Sequence, residues 1–373
     1  MSWQLPFNVP REKPAPAFPS GTFAFVHRPT NAPVSTKLLL LLWFVSLLLC
    51  TTISPGQAAG KEQRILVNAM EYPWSTLGRV NAAGRAHCTG VMVSERHVLT
   101  AAHCIYDVRT GRWLAPQELH FVAGYQFSTY EIHAPVKSYR KSANYRPLNE
   151  ASARNTETDW ALLELASPLG KQTGWLALET LSNSILQRIK QGQSVLLSSG
   201  YRAGAPHAQT VDFNCQFPGR IKNSDGIAHR CFLQNGDSGS PLLLYDQGEF
   251  SIVGINVVGF SSDNGRSNEY VGALTSSRFH PERGSKDVKQ AIGKLAFLWD
   301  KGALPGNGSK AGKMPGKTIA LLLEHLGYLS KAEAASDPAV LQAALQKFYK
   351  KRDKPAPAQT NYQVLGDLIL TLK

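Results

Sequence analysis

Cysteine is scarce in this chain. Five occur in 373 residues, and no two are spaced as C-x-x-C, so a structural zinc site has little to build on. No apolar run reaches the roughly 20 residues of a comfortable membrane span. Neither an RNA-binding signature nor a zinc-finger spacing is present, and no long internal repeat is visible. Acidic residues are in the minority: 27 Asp and Glu face 40 Lys and Arg, for a formal net charge of +13. Such a molecule is drawn to anionic partners, but with no nucleic-acid reader motif the reading is a basic exported protein that does not bind nucleic acid. A hydrophobic fraction of 43% excludes wholesale disorder. The length exceeds what one ordinary domain needs and suggests a large unit plus a smaller one.

The longest apolar run is Lys37 to Cys50, KLLLLLWFVSLLLC, with small residues Gly56, Ala58, Ala59 and Gly60 after it. A basic residue, a short apolar stretch and small residues in that order match a signal peptide cleaved near Ala58 or Ala59. Residues 1–59 are therefore expected to be an N-terminal extension plus signal, and the product to be secreted or periplasmic. An uncleaved membrane anchor is the alternative. The Pro-rich Met1 to Ser35 is long for a basic leader region; a start at the codon read as Val34 gives an ordinary one. The remaining cysteines are Cys88, Cys104, Cys215 and Cys231. Four cysteines allow three pairings. Cys88–Cys104 and Cys215–Cys231 are preferred because each closes a short loop, each worth about 3 kcal/mol in the chain-entropy model. Disulfides agree with export.

From about residue 60 to 281 the chain is a succession of short apolar segments bounded by Gly, Asn, Ser and Pro. Val98-Leu99-Thr100-Ala101, Ala161-Leu162-Leu163-Glu164-Leu165 and Ile252-Val253-Gly254-Ile255 are examples. These are strand lengths, and their density predicts an antiparallel all-β domain. Residues 282–315 are rich in Gly and Lys and read as a linker, although Lys286 to Trp299 can carry a helix that packs back. Three helical patterns fill 316–373. In the middle one Asp337 caps, Pro338 takes the first position, and Leu341, Ala344, Leu345 and Phe348 share a face.

Three settings carry chemistry. Ser238 lies in Asn235-Gly236-Asp237-Ser238-Gly239-Ser240-Pro241, where small neighbours allow a tight turn that exposes its hydroxyl. The N–H groups of Gly236 and Ser238 can then meet a developing oxyanion, each donor of that kind being worth about 2.7–4 kcal/mol. His103 ends the apolar run Val98 to Ala102 and is followed by Cys104, whose disulfide would hold the loop still. Asp159 stands at the mouth of the apolar segment 160–165. A serine hydroxyl is a weak nucleophile until an imidazole takes its proton. A buried carboxylate fixes the tautomer of that imidazole. Asp107 lies in a polar stretch and reads as solvated; His87, His97, His120 and His133 read as surface or packed histidines.

Cys88-Thr89-Gly90, Leu99-Thr100-Ala101-Ala102-His103-Cys104, Asp159-Trp160-Ala161-Leu162-Leu163 and Gly236-Asp237-Ser238-Gly239-Ser240-Pro241 resemble the motif set of trypsin-like serine proteases, in the family's order of His, Asp, Ser. The Gly-Ser-Pro ending, Tyr72-Pro73-Trp74, Gly200-Tyr201 and the position of Cys231 resemble the bacterial branch that includes glutamyl endopeptidases. The resemblance covers Arg64 to Phe279. It implies a chymotrypsin-like double six-stranded antiparallel β-barrel with peptide or protein substrates and neither cofactor nor metal. His103 is implied as general base, Asp159 as its orienting group, Ser238 as nucleophile, and Gly236 and Ser238 as oxyanion donors.

Two departures matter. In animal members of the family the residue matching Asp237 pairs with a newly freed terminal amine. Here Ile65-Leu66-Val67 follows Arg64 without the expected glycine pair, so Asp237 needs an internal basic partner or a different activation route. The pocket-floor position falls near Phe232 and Leu233, and Asn256 stands near the site where glutamyl endopeptidases carry a His. These changes point to a small or apolar P1 residue. The C-terminal segment, with Leu326-Gly327-Tyr328-Leu329 and Leu341 to Phe348, resembles a three-helix peptidoglycan-binding-like domain without its usual Asp-Gly turn. The expectation is a monomeric exported serine endopeptidase that also meets cell-wall peptidoglycan. An idle wall-binding scaffold and an esterase on the same triad are the competing functions.

Overall fold

The computed structural model describes residues 64–82, 86–147, 153–217, 219–221, 225–260, 270–300, 315–330 and 337–373. The signal-peptide reading falls outside the described residues. Among the described residues no helix is long and apolar enough to cross a membrane. The strands are β1 (Ile65–Leu66), β2 (Leu77–Ala82), β3 (Ala86–Met92), β4 (His97–Thr100), β5 (Tyr106–Asp107), β6 (Arg112–Trp113), β7 (Leu119–Ala123) and β8 (Ile132–Lys141). They continue as β9 (Ala161–Leu165), β10 (Ser194–Gly200), β11 (Thr210–Asp212), β12 (Gly219–Arg220), β13 (Ile227–His229), β14 (Pro241–Asp246), β15 (Glu249–Phe260) and β16 (Tyr270–Thr275). The helices are α1 (Ala153–Glu157), α2 (Gly170–Thr173), α3 (Asn183–Lys190), α4 (Lys286–Ile292), α5 (Gly316–His325), α6 (Pro338–Lys350) and α7 (Tyr362–Ile369).

β2, β3, β4, β9, β8 and β7 close in that order into an antiparallel barrel. β9 is apolar at nearly every position, and β4 carries adjacent apolar residues Val98 and Leu99, because both strands bury both faces. Val98, Ala161, Leu163 and Leu165 fill the barrel with Val80, Met92 and Phe121. Leu99 and Leu162, pointing the other way, join a second core with Trp74, Leu197, Leu243 and Ile255. Period-two alternation puts successive side chains on opposite faces, so an unbroken apolar run is what a strand between two cores requires.

The second half carries more strands than the six expected of it. It is an eight-stranded sheet in the order β1-β11-β10-β14-β15-β16-β13-β12. The N-terminal arm adds β1 to its edge, with Ile65 opposite Val211 and Leu66 opposite Thr210. The short β12–β13 ribbon ends the other side.

In the 282–315 region the packing helix forms. Val288 of α4, Leu295 and Leu298 are all buried, and Asp287 accepts from Arg278, Ser142 and Trp160. α5, α6 and α7 form as the sequence patterns suggest. Ile319, Leu322, Phe348, Val364 and Leu368 belong to the same core as Tyr72, Tyr245 and Phe250 of the β-rich part. Gly366 of α7 lies so close to the Tyr245 ring that a Cβ there would collide with it. Among the described residues, one of the cores thus runs from the β-rich part into the C-terminal helices.

Candidate active site

The site lies where β4 ends and β9 begins. Thr100 and Ala161 are register partners, so the residues flanking them are brought together although some 60 positions separate them. His103 sits on the 3-10 turn Ala102–Ile105 that leaves β4. Asp159 precedes β9 and is 5% exposed. Its Oδ1 accepts the His103 backbone N–H at 2.9 Å, and its Oδ2 faces His103 Nδ1 at 2.7 Å. A carboxylate accepts only, so Nδ1 carries the proton and Nε2 of the neutral ring presents a lone pair. Nε2 has no hydrogen-bond partner among the described residues. Burial alone would pull the His103 pKa down, but the charge and the hydrogen bond of Asp159 outweigh it and the net shift is upward.

The residue that follows Asp159 is anchored in the core. Trp160, fully buried, stacks edge-on against Phe279 at 5.6 Å and donates its indole N–H to Asp287 of α4 at 3.3 Å. Arg278 binds the same Asp287 as well as Glu157 and Asp225.

Ser238 is half-buried in the tight turn that precedes β14. Its carbonyl accepts the Thr89 N–H at 2.9 Å, and Thr89 Oγ1 donates to the Gly236 carbonyl at 2.9 Å. β3 thereby grips both ends of the Ser238 turn. Thr100 Oγ1 donates to the Thr89 carbonyl at 2.8 Å, tying the base of the His103 turn to the same strand. The Cys88–Cys104 disulfide adds a covalent link between that strand and that turn. Gly239, at φ +77°, has Thr100 Oγ1 and the Ala101 nitrogen where a Cβ would lie, so the Ser238 and His103 turns are in direct contact. No hydrogen bond joins Ser238 Oγ to His103 among the described residues. In unliganded sites of this type the nucleophile–base contact is often long and tightens on substrate binding.

The donor pair is set by which amides are already used. The N–H groups of Asp237, Gly239 and Ser240 donate to Gln234, Asn256 and Asp237 carbonyls at 3.0, 2.7 and 2.9 Å. Those of Gly236 and Ser238 have no intramolecular acceptor among the described residues. Gly236 reaches this arrangement at φ +95°, which an L side chain rarely adopts. Asp237 is turned inward, 1% exposed, and its Oδ2 meets Arg64 Nη1 at 2.7 Å. The cation is not legible in the local sequence because it lies 173 positions upstream.

Behind the turn is a closed polar network. Asn256 Oδ1 faces His229 Nε2 at 2.7 Å, while Asn256 Nδ2 donates to Ser198 and Ser240 hydroxyls at 2.9 and 2.8 Å. The Cys231 N–H donates to His229 Nδ1 at 3.2 Å, which fixes the tautomer. Complete burial pushes the His229 pKa down to about 4, so this imidazole is neutral. The second disulfide, Cys215–Cys231, closes over it. Phe232 and Leu233 follow, half-buried.

His87, read from sequence as a histidine without context, faces the Tyr201 carbonyl through Nε2 at 2.8 Å and lies against Gly236. Its place next to Cys88, one residue from the β3 grip, was the only available signal. Asp107 caps its own turn by accepting the Arg109 N–H. His120 and His133 pair with each other across β7 and β8, at 2.5 Å.

Comparison with known proteins places these elements in context. The family model described as Trypsin matches residues 66–280. The glutamyl endopeptidase of Bacillus licheniformis is 26% identical over 186 residues, 49% of this chain and 53% of that protein. Phenoloxidase-activating factor 3 of Holotrichia diomphalia is 27% identical over 208 residues, 46% of this chain and 56% of that protein. The chain thus spans about half the length of the curated relatives it matches. Among solved structures, a Glu endopeptidase in complex with MPD covers 58% of this chain and 92% of its own, at 19% identity and a TM-score of 0.46. The protease Anisep from Arthrobacter nicotinovorans covers 63% and 98%, at 15% identity and a TM-score of 0.43.

Proposed function

Because the chain belongs to the trypsin family, we propose that it is an exported serine endopeptidase that works through Ser238, His103 and Asp159. The observation that carries this reading is the double hydrogen bond from His103 to Asp159, at 2.9 and 2.7 Å, which leaves Nε2 with its lone pair available. His103 Nε2 takes the Ser238 proton as Oγ attacks the scissile carbonyl carbon, and Asp159 stabilises the resulting imidazolium. The negative charge that develops on the carbonyl oxygen is met by the Gly236 and Ser238 N–H groups. The intermediate collapses as His103 returns the proton to the leaving amine, and Ser238 is left acylated. Water, deprotonated by the same nitrogen, then attacks the ester carbonyl; the bond to Ser238 Oγ breaks, His103 returns the proton to Oγ, and the acid is freed.

A small or apolar P1 residue fits best. Both amide hydrogens of Asn256 and its carbonyl oxygen are engaged inside the protein, so no donor is left there for a P1 carboxylate. Phe232 and Leu233, at the expected pocket-floor position, bring no acidic charge for a basic P1. Two disulfides suit an oxidising, extracytoplasmic setting. Attachment to an anionic wall polymer is supported by the exposed Lys347, Lys350, Lys351 and Lys354 around the end of α6; co-sedimentation with insoluble peptidoglycan tests it, and a soluble fraction unchanged by the polymer would refute it.

Wild-type and Ser238→Ala protein are to be compared on casein and on a small ester. Wild-type cleavage of casein that the variant loses by several orders of magnitude is the expected outcome. Ester turnover without casein cleavage would turn the reading to an esterase, and an inert wild type would turn it to an idle scaffold.

A further inference from the structure

The inward-turned Asp237 connects the two halves of the oxyanion pair, Gly236 and Ser238, and what holds it decides whether that pair exists. Arg64, whose side chain is fully buried, does more than neutralise it. Nη1 donates to Asp237 Oδ2 at 2.7 Å and to the Phe232 carbonyl at 3.1 Å, and Nη2 donates to the Thr210 carbonyl at 2.6 Å. One guanidinium therefore binds the Ser238 turn, the segment leading to the P1 pocket wall and the start of β11. Gln234 adds its N–H to the same Asp237 oxygen at 3.0 Å. A buried carboxylate deprived of its cation is strongly unfavourable, and a guanidinium does not lose its charge in a protein.

Arg64 is also the residue directly before β1, and its main chain is fixed on two sides. β1 is hydrogen-bonded to β11. A few residues on, the arm is bound by the C-terminal helices. Glu71, 3% exposed, accepts the Lys317 and Thr318 N–H groups at the start of α5, both at 2.9 Å. Thr318 Oγ1 accepts the Asn68 N–H at 3.2 Å, and Tyr72 packs edge-on against Tyr362 of α7 at 5.7 Å. A cut between Arg64 and Ile65 would detach the cation from the strand that carries it.

We infer that Arg64 is a positioning residue that takes the place of a freed terminal amine, setting the Gly236–Ser238 turn in the uncut chain, with α5 and α7 holding its strand in place. Competence then needs no cleavage at the Arg64–Ile65 bond. This rests on the endopeptidase reading.

The secreted wild-type protein is labelled with a fluorophosphonate probe, and the intact mass of the labelled chain is measured. Labelled chains are expected to begin upstream of Ile65; labelling confined to chains that begin at Ile65 overturns the inference. Arg64→Ala is expected to lower kcat by about 10²-fold, as for the loss of one oxyanion donor, with KM changed far less. Arg64→Lys, which keeps the charge, is expected to recover about tenfold of that loss. An Arg64→Ala protein with wild-type kcat and melting temperature overturns the inference. If Arg64→Ala does not fold, the labelled mass and the Arg64→Lys kinetics decide. A wild type that neither labels nor cleaves removes the endopeptidase reading, and this inference with it.

Discussion

At the scale of single residues, His103 is governed by two opposed effects. Its surroundings favour the neutral ring and Asp159 favours the imidazolium, and Asp159 prevails. A general base must be unprotonated, so kcat/KM is expected to rise with pH through a value above the ordinary 6.5 of histidine. Asp159→Asn removes the charge that raises it. The acid limb of the profile is expected to move to lower pH, and kcat to drop by about 10⁴-fold as in the template triad. A pH–rate series on both proteins checks this; an acid limb that stays in place would mean Asp159 does not act on the base. His103, Asp159 and Ser238 were legible because each sits in a short local motif. Arg64 and the His229–Asn256 network were not, because their chemistry exists only after residues far apart in sequence are buried together. A buried Arg or His looks like any other until its partners are known.

At the scale of elements, the strands of the first barrel were legible from apolar runs of strand length. That β4 and β9 are apolar on both faces became meaningful only with the second core in place. The extension of the second sheet by β1 is not legible, because β1, two residues long, carries no alternation to detect; it is recruited by β11 and by the helix behind it. The C-terminal helices were legible individually through Asp337 at a cap, Pro338 at a first position and the repeat of Leu and Phe. Their docking was not, since the surface they cover is assembled from Tyr72, Tyr245 and Phe250. Glu71 is the sharpest contact of that junction, its carboxylate taking two otherwise unpaired helix N–H groups. Glu71→Ala is expected to cost about 1–3 kcal/mol and to speed amide exchange in β1 and α5 together. Exchange that rises in only one of the two would separate the arm from the helix.

At the scale of the whole molecule, Ile65 of β1 and the last three helices belong to one hydrophobic core, with the candidate site between them in sequence. The strand that carries Arg64 is completed by helices made some 250 positions later. A growing polypeptide would therefore carry every reacting group before it has the clasp that arranges them. On the proposed reading, labelling at Ser238 would begin only once those last helices are in place. Chains stopped at Asp300 are expected to resist the fluorophosphonate that labels full-length protein, and full-rate labelling of such chains would contradict the idea.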